Sequence, residues 1–198
     1  MRKWLSEMSV ALMALAALAA AADGAPAAMK IDVRTEDLLQ SAGANWSSYN
    51  GDYSGRRFSA LSEITPASVP QLSAAWVFHA HNTNRLENTP VVVNGMMYVT
   101  AANDAFALDA RTGREIWRHS RPISEGLIDD ASQHVTRGVA VWHDRVYMET
   151  DNAHLLCLDA RSGNQIWDVA YADWNKNYGA TSAPLIVKDK VFGRDLGW

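Results

Sequence analysis

The sequence of 198 residues contains a single cysteine, Cys157. An intrachain disulfide is therefore impossible, and a Cys-x-x-Cys redox or zinc-binding motif is excluded as well. Cys157 stands in an apolar run that occurs twice in the chain, at the position that Ala107 fills in the other copy. This placement favours a buried, unreactive thiol.

The chain also lacks an excess of positive charge. Its 18 lysines and arginines are outnumbered by 22 aspartates and glutamates, which gives a net charge of −4. Nucleic-acid-binding domains usually carry a basic surface, so no nucleic-acid partner is predicted. After residue 22 no segment approaches the ~18 apolar residues of a transmembrane helix. No membrane span is therefore predicted once a leader has been removed.

The N-terminus has the plan of a secretory signal peptide. Met1–Lys3 is basic, and Val10–Ala22 is an uninterrupted apolar run of 13 residues. Small residues end this run and offer a cleavage site before Asp23. We predict a signal peptide over residues 1–22, with cleavage there or as late as residue 28, and export of the mature protein. The alternative is an uncleaved N-terminal anchor.

The most informative feature that is present is an internal repeat. Ala105–Trp117 returns fifty residues later as Leu155–Trp167, with seven of thirteen positions identical. In both copies an apolar strand precedes Asp-Ala-Arg-Thr/Ser-Gly, a turn whose glycine is free to adopt positive φ. A second strand follows and includes the tryptophan. Because an isolated hairpin is only marginally stable, these units are expected to pack on copies of themselves.

Upstream of each copy lies another hairpin pattern, made of an apolar strand, a two-residue polar turn and a second strand. It occurs at Val91–Val99, at Ala140–Met148 and, as the start of a third copy, at Pro184–Phe192. Each unit therefore has four short antiparallel strands in about fifty residues, the size of a β-propeller blade. A helical solenoid is the alternative, but no segment after residue 70 keeps a 3.6-residue apolar period.

The predicted fold is all-β, an incomplete β-propeller. Residues 23–72 are expected to wrap around the blades, and residues 73–198 to form them. Units that end in tryptophan give a partial blade ending at Trp76, full blades ending at Trp117 and Trp167, and the start of another. Since a propeller closes with at least ~4 blades, these blades alone cannot complete a ring. The recurring tryptophans are expected to pack between blades.

Several segments together resemble the quinoprotein alcohol dehydrogenases. The resemblance runs in order from about residue 38 to about residue 192. The segments that carry it are Trp46–Ser59, Leu61–Ile64, Leu72–Trp76, Glu87–Tyr98, Thr136–Ala140 and Thr181–Pro184. The Leu-Asp-Ala-x-x-Gly-x-x-x-Trp repeat alone would indicate only a quinoprotein-type propeller.

Members of that family are periplasmic, eight-bladed propellers that oxidise alcohols or sugars. They use pyrroloquinoline quinone (PQQ) held by a calcium or lanthanide ion, and they pass electrons to a cytochrome. The resemblance therefore implies that this chain is the N-terminal part of such an enzyme. It would contain about three of the eight blades and be inactive alone. The alternative is a non-catalytic propeller, such as an outer-membrane assembly scaffold.

The resemblance assigns three cofactor-binding residues by position. Glu87 stands where the family places a glutamate that hydrogen-bonds the quinone. Arg137 matches an arginine that pairs with a cofactor carboxylate, and Thr181 matches a threonine that also bonds the cofactor. The residues alone leave an alternative open for each: a solvated loop carboxylate for Glu87, a strand-end hydroxyl for Thr181, and for Arg137 a surface ion pair with Asp129 or Asp130.

The sequence departs from the family in two places. Ala131 and Ser132 stand where many members carry adjacent cysteines, so the disulfide ring over the quinone is impossible here. The Gly-rich segment that supplies a metal-binding carboxylate is replaced by Val191–Trp198, in which Asp195 is the candidate remnant. No residue of the chain corresponds to the family's catalytic aspartate, so no catalytic residue is assigned.

Overall fold

The computed structural model describes residues 30–80 and 85–193 of the chain. The predicted signal peptide and Asp195 lie outside these ranges. Within them, ten antiparallel strands form two four-stranded blades and the first hairpin of a third. Blade 1 contains β1 (Val91–Val93), β2 (Met96–Ala101), β3 (Asp104–Asp109) and β4 (Glu115–Ser120). Blade 2 contains β5 (Ala140–Trp142), β6 (Arg145–Glu149), β7 (His154–Asp159) and β8 (Gln165–Ala170), and β9 (Leu185–Val187) pairs with β10 (Lys190–Phe192).

Each complete blade has the strand order of a simple meander, with neighbours in sequence paired in space. The two sheets also share an irregularity at the same place, because the register shifts between Ala107 and Leu108 and again between Cys157 and Leu158. The prediction of a four-stranded unit repeated after about fifty residues is therefore confirmed. The described residues also form one α-helix, α1 (Thr35–Leu39), and three short 3-10 turns, at Val69–Gln71, Asp129–Gln133 and Trp174–Lys176.

The turn between the third and fourth strands is built by an aspartate and a glycine. Asp109 accepts hydrogen bonds from the backbone N–H groups of Arg111 and Thr112, and Asp159 accepts the equivalent pair in blade 2. Burial opposes the ionisation of both carboxyls, but these donors outweigh it and lower the pKa of each aspartate. Gly113 and Gly163 close the turns at φ of 71° and 72°, where a side chain would be strained.

The tryptophans join one blade to the next. The indole of Trp117 lies over Gly163 of blade 2, and its Nε1 donates to the carbonyl oxygen of Ala160 at 3.0 Å. Trp76 makes the same contacts one blade earlier, with Gly113 and with the carbonyl oxygen of Ala110 at 3.2 Å. The prediction that these residues pack between blades is confirmed for both. The glycine is needed for a second reason, since a Cβ would collide with the indole.

The segment before the blades crosses the first strands of all three. Val33 forms a bridge with His143 beside β5, and Trp46 forms one with Val92 on β1. The hydroxyl of Tyr53 donates to the carbonyl oxygen of Ile186 on β9 at 2.7 Å. Apolar residues of this segment also enter the main core cluster with blades 1 and 2. The segment therefore ties the blades together at their first strands.

Cys157 is buried on β7 with no disulfide partner. Burial is the main cause of a raised pKa for its thiol, so the reactive thiolate is disfavoured. The prediction of a buried thiol is confirmed. In the described ranges no helix is long and apolar enough to cross a bilayer.

His119 on β4 should make the stability of the protein pH-dependent. Burial and the charge of Arg121 lower the pKa of this histidine below its ordinary 6.5. The folded protein therefore keeps His119 neutral while the unfolded chain takes up a proton, so stability should fall as the pH drops below about 6.5. Urea denaturation at pH 7.5 and pH 5.0 measures the free energy of unfolding. Between these two pH values it should fall by less in His119→Gln than in the parent chain. His79→Gln, which removes an exposed histidine, is the control; an unchanged loss in His119→Gln would contradict the assignment.

Candidate functional site

Three backbone segments meet where the blades begin. Each segment leads into the first strand of its blade, β1, β5 or β9. The N–H of Thr89 donates to the carbonyl oxygen of Arg137 at 3.0 Å, and the N–H of Arg137 donates to the carbonyl oxygen of Thr181 at 3.1 Å. Arg137 therefore lies in the middle of three neighbouring segments, one from each blade. Arg137 lies three residues before the start of β5.

The side chains of the three predicted site residues come together at this junction. Nη2 of Arg137 lies 3.1 Å from Oε2 of Glu87. Nη1 of Arg137 donates to Oγ1 of Thr181 at 2.6 Å and to its carbonyl oxygen at 3.1 Å. Thr181 is buried, while the Arg137 side chain remains 40% exposed. The guanidinium is therefore held at both ends and is still accessible to a ligand.

Gly138 is needed for the segments to approach so closely. Its φ is 135°, a value that other residues rarely adopt, and a Cβ would lie 3.1 Å from the carbonyl oxygen of Thr89. A larger residue after Arg137 would push the first two segments apart. Arg137 therefore projects its charged side chain from a stretch of backbone in which the next position, Gly138, has no room for a side chain.

A buried carboxylate that no sequence motif indicated anchors the connection leading to Arg137. Asp151, between β6 and β7, accepts from Asn103 Nδ2 at 2.8 Å and from the backbone N and Oγ of Ser124, both at 2.9 Å. Nδ1 of His134 lies 3.5 Å from its Oδ2. Asn103 belongs to blade 1, while Ser124 and His134 belong to the connection between the blades. Asp151 therefore fixes that connection against both blades.

A second buried carboxylate lies close to Thr181. Glu149 on β6 is buried and accepts a hydrogen bond from the hydroxyl of Ser182 at 2.8 Å, and from that of Tyr171 at 3.3 Å. Ser182 directly follows Thr181 in the chain. A cavity of about 240 Å³ opens beside this carboxylate, lined by Glu149, Leu155, Tyr171, Val191 and Gly193. No motif in the sequence indicated that a glutamate in this strand would be buried.

The site has no recognisable metal centre among the described residues. Within residues 30–80 and 85–193, no group of three histidine, cysteine, aspartate or glutamate side chains is placed to hold a metal ion. Asp195, the candidate ligand, is not in these ranges. Ala131 is buried in the 3-10 turn at Asp129–Gln133, which is part of the connection that leads to Arg137.

The sequence of the chain is similar to those of known proteins. Residues 46–194 match the family model described as the β-propeller domain of glucose, ethanol and alcohol dehydrogenases that use PQQ. Quinohemoprotein alcohol dehydrogenase ADH IIB of Pseudomonas putida is 36% identical over 89% of this chain and 25% of its own length. The 1-butanol dehydrogenase (cytochrome c) of Thauera butanivorans is 35% identical over 76% of this chain and 22% of its own length.

Solved structures of related enzymes share the fold. Quinohemoprotein alcohol dehydrogenase ADHIIG of Pseudomonas putida superposes with a TM-score of 0.77 at 33% identity, covering 86% of this chain and 26% of that enzyme. A europium-containing methanol dehydrogenase superposes with a TM-score of 0.70 at 31% identity, over 78% and 28% of the two chains. The chain spans about a quarter of the length of the relatives it matches. The chain belongs to the family of PQQ-dependent alcohol dehydrogenases and represents part of their β-propeller domain.

Proposed function

We propose that this chain holds one edge of the PQQ cofactor in a periplasmic dehydrogenase that oxidises an alcohol, or a sugar or polyol. The observation that carries the proposal is the placement of Arg137 between Glu87 and Thr181 at the junction of three consecutive blades. The whole enzyme would bind calcium or a lanthanide beside the quinone and pass electrons to a cytochrome. By itself this chain would be inactive.

The donor set at the junction fits one edge of PQQ, which is a planar quinone with three carboxylates. The flat guanidinium of Arg137 suits a carboxylate, because its N–H groups form two parallel charge-assisted hydrogen bonds. Thr181 adds a hydroxyl, and Glu87 adds an acceptor for a polar group of the ring. When bound, PQQ supplies the two-electron oxidation itself, and the protein supplies position and electrostatics.

The residues of this chain would act by orientation. The backbone of Arg137 is fixed on one side by Thr89 and on the other by Thr181, so the guanidinium is aimed before a ligand arrives. Preorganisation of this kind lowers the entropy lost on binding. Asp151 contributes by holding the connection that precedes Arg137. A base for the substrate hydroxyl and a complete metal site would come from other parts of the enzyme.

The names of two relatives support the remaining parts of the proposal. The Thauera butanivorans enzyme is named as a cytochrome c-linked dehydrogenase of 1-butanol, and the methanol dehydrogenase structure is described as containing europium. An alcohol substrate, a cytochrome acceptor and a lanthanide therefore each occur among the relatives. A scaffold without a cofactor would have no use for an accessible arginine positioned by three blades.

The reading frame around this chain tests the proposal. The DNA that follows the Trp198 codon is expected to continue in frame and to encode a Gly-Gly-Glu/Asp segment and further tryptophan-ended blades. Unrelated sequence at that point would count against a dehydrogenase.

The mature protein is expected in the periplasm with an N-terminus near Asp23 or Met29, as read by mass spectrometry. An intact Met1 on a cytosolic product would contradict export.

A further inference from the structure

A buried threonine near the end of β2 contacts both segments that carry the ion pair of the candidate site. Thr100 is 1% exposed. Its carbonyl oxygen accepts a hydrogen bond from Asn88 Nδ2 at 2.8 Å, and Asn88 directly follows Glu87 in the chain. Its hydroxyl donates to the carbonyl oxygen of Thr136 at 2.9 Å, and Thr136 directly precedes Arg137. Thr100 therefore joins the neighbours of both residues of the ion pair.

The segment before Arg137 is held at two points by the end of blade 1's second strand. Thr136 accepts the hydrogen bond from Thr100 at its carbonyl oxygen, and its own hydroxyl donates to the carbonyl oxygen of Ala102. Thr136 is buried, and hydrogen bonds are stronger in the protein interior than in water. Two bonds to one residue restrict both its position and its rotation. Arg137 therefore begins from a fixed stretch of backbone.

Blade 2 holds the next segment from the equivalent position. Thr100 and Glu149 pair with matching positions of the repeat on the third strands of their blades. Glu149 is also buried, and it accepts a hydrogen bond from the hydroxyl of Ser182, the residue that follows Thr181. In both blades, a buried side chain of the second strand thus holds the segment that leads into the following blade. The contact lies next to a predicted site residue each time.

A second buried threonine makes only local contacts with its hydroxyl and provides a comparison. Thr150 is as completely buried as Thr100. Its hydroxyl lies 2.7 Å from Oδ1 of Asn152 and 3.5 Å from the carbonyl oxygen of His154. These contacts stay within the turn between β6 and β7, whereas the hydroxyl of Thr100 joins blade 1 to the segment leading into blade 2. Removing each hydroxyl in turn therefore separates local stabilisation from positioning.

We propose that Thr100 is a positioning residue of the cofactor site, because its hydroxyl fixes the segment that carries Arg137. It acts through the backbone of Thr136 and holds the guanidinium where Glu87 and Thr181 both contact it. The inference rests on the proposed function, since that function gives the junction its purpose. The placement of Arg137 is nevertheless measurable without PQQ.

The test measures how fast Arg137 reacts with phenylglyoxal, a reagent that adds to the uncharged form of arginine. An ion pair favours the charged form and so slows the reaction. Peptide mass spectrometry of the 198-residue chain gives the rate for Arg137 relative to Arg145, which is 36% exposed and paired with Asp144 at 3.0 Å. Thr100→Val should raise this ratio about threefold to tenfold, the change expected from the loss of one buried hydrogen bond. Thr100→Ser keeps the hydroxyl and should remain within about twofold of the parent chain.

Two further variants keep the result specific. Thr150→Val is the matched control and should leave the ratio within about twofold of the parent value. Thr100→Ala removes the hydroxyl without placing a methyl group against Thr136, and it should raise the ratio as Thr100→Val does. An unchanged ratio in both Thr100→Val and Thr100→Ala would overturn the proposal, as would an equal rise in Thr150→Val and Thr100→Ser. Far-UV circular dichroism confirms that the blades of each variant are folded.

Addition of PQQ separates this proposal from the proposed function. Excess PQQ should slow the modification of Arg137 in the parent chain if that guanidinium binds a carboxylate of the cofactor. The ratio measured without PQQ reports on Thr100 alone. A rise in Thr100→Val together with no protection by PQQ would support the positioning role and would count against a cofactor contact at Arg137 in this chain.

Discussion

Replacing Trp117 by alanine should lower the free energy of unfolding by about 3–5 kcal/mol, the range measured for large aromatic residues truncated in a protein core. The indole of Trp117 is buried between the blades, covers Gly163 and packs against Tyr98. Its loss would leave a cavity at the interblade contact. It would also remove one of the two donors to the carbonyl oxygen of Ala160. Urea denaturation followed by circular dichroism measures the effect.

Trp167 provides a matched control for this experiment. It occupies the same position in the repeat and packs against the equivalent tyrosine, but it is 37% exposed. Trp167→Ala should therefore cost at most about 2 kcal/mol, because less apolar surface returns to water. Equal losses for the two variants would show that burial between blades contributes little. In that case the tryptophans would stabilise their own blades rather than the contact between them.

The sequence was sufficient to predict the blades because their information is local and repeated. The Asp-Ala-Arg-x-Gly turn, the hairpin upstream and the tryptophan downstream each recur after one blade. Both copies of the turn close a hairpin and also receive a tryptophan from the preceding part of the chain. The short helix at Thr35–Leu39 was not predicted. Five residues cannot show a helical period, and this helix depends on the burial of Leu38 in the main core cluster.

The junction of Glu87, Arg137 and Thr181 was predicted through the family resemblance, and its geometry follows from the repeat. The three residues precede the first strands of successive blades. Positions that lie about one repeat apart in the sequence therefore occupy equivalent places in neighbouring blades. Asp151 and Glu149 had no such signal. Asp151 stands in a turn, where an exposed aspartate is ordinary, and Glu149 ends a strand. Their burial results from Asn103, Ser124 and Ser182, which come from other segments of the chain.

The purified 198-residue chain should show no dehydrogenase turnover when mixed with PQQ, calcium or a lanthanide, a dye acceptor and a series of alcohols. The reason is a shortage of binding energy. A charge-assisted contact to Arg137 contributes roughly 1.5–3 kcal/mol, whereas micromolar affinity requires about 8 kcal/mol. Glu87 already occupies Nη2 of Arg137, so an entering carboxylate must also compete with an existing ion pair.

A titration of PQQ against the chain and two arginine variants measures this directly. Any residual binding should be weak and should decrease in Arg137→Ala, because that guanidinium lies accessible at the junction of the three blades. Arg118→Ala is the matched control: it removes a similarly exposed arginine whose partner, Asp104, lies on β3 of blade 1. Turnover that persists in Arg118→Ala and disappears in Arg137→Ala would show that this part of the propeller is a working enzyme. Weak binding that both variants reduce equally would indicate only general attraction of a tricarboxylate to positive charge. Loss confined to Arg137→Ala, without turnover, is the result expected for one edge of a cofactor site whose remaining walls come from elsewhere in the enzyme.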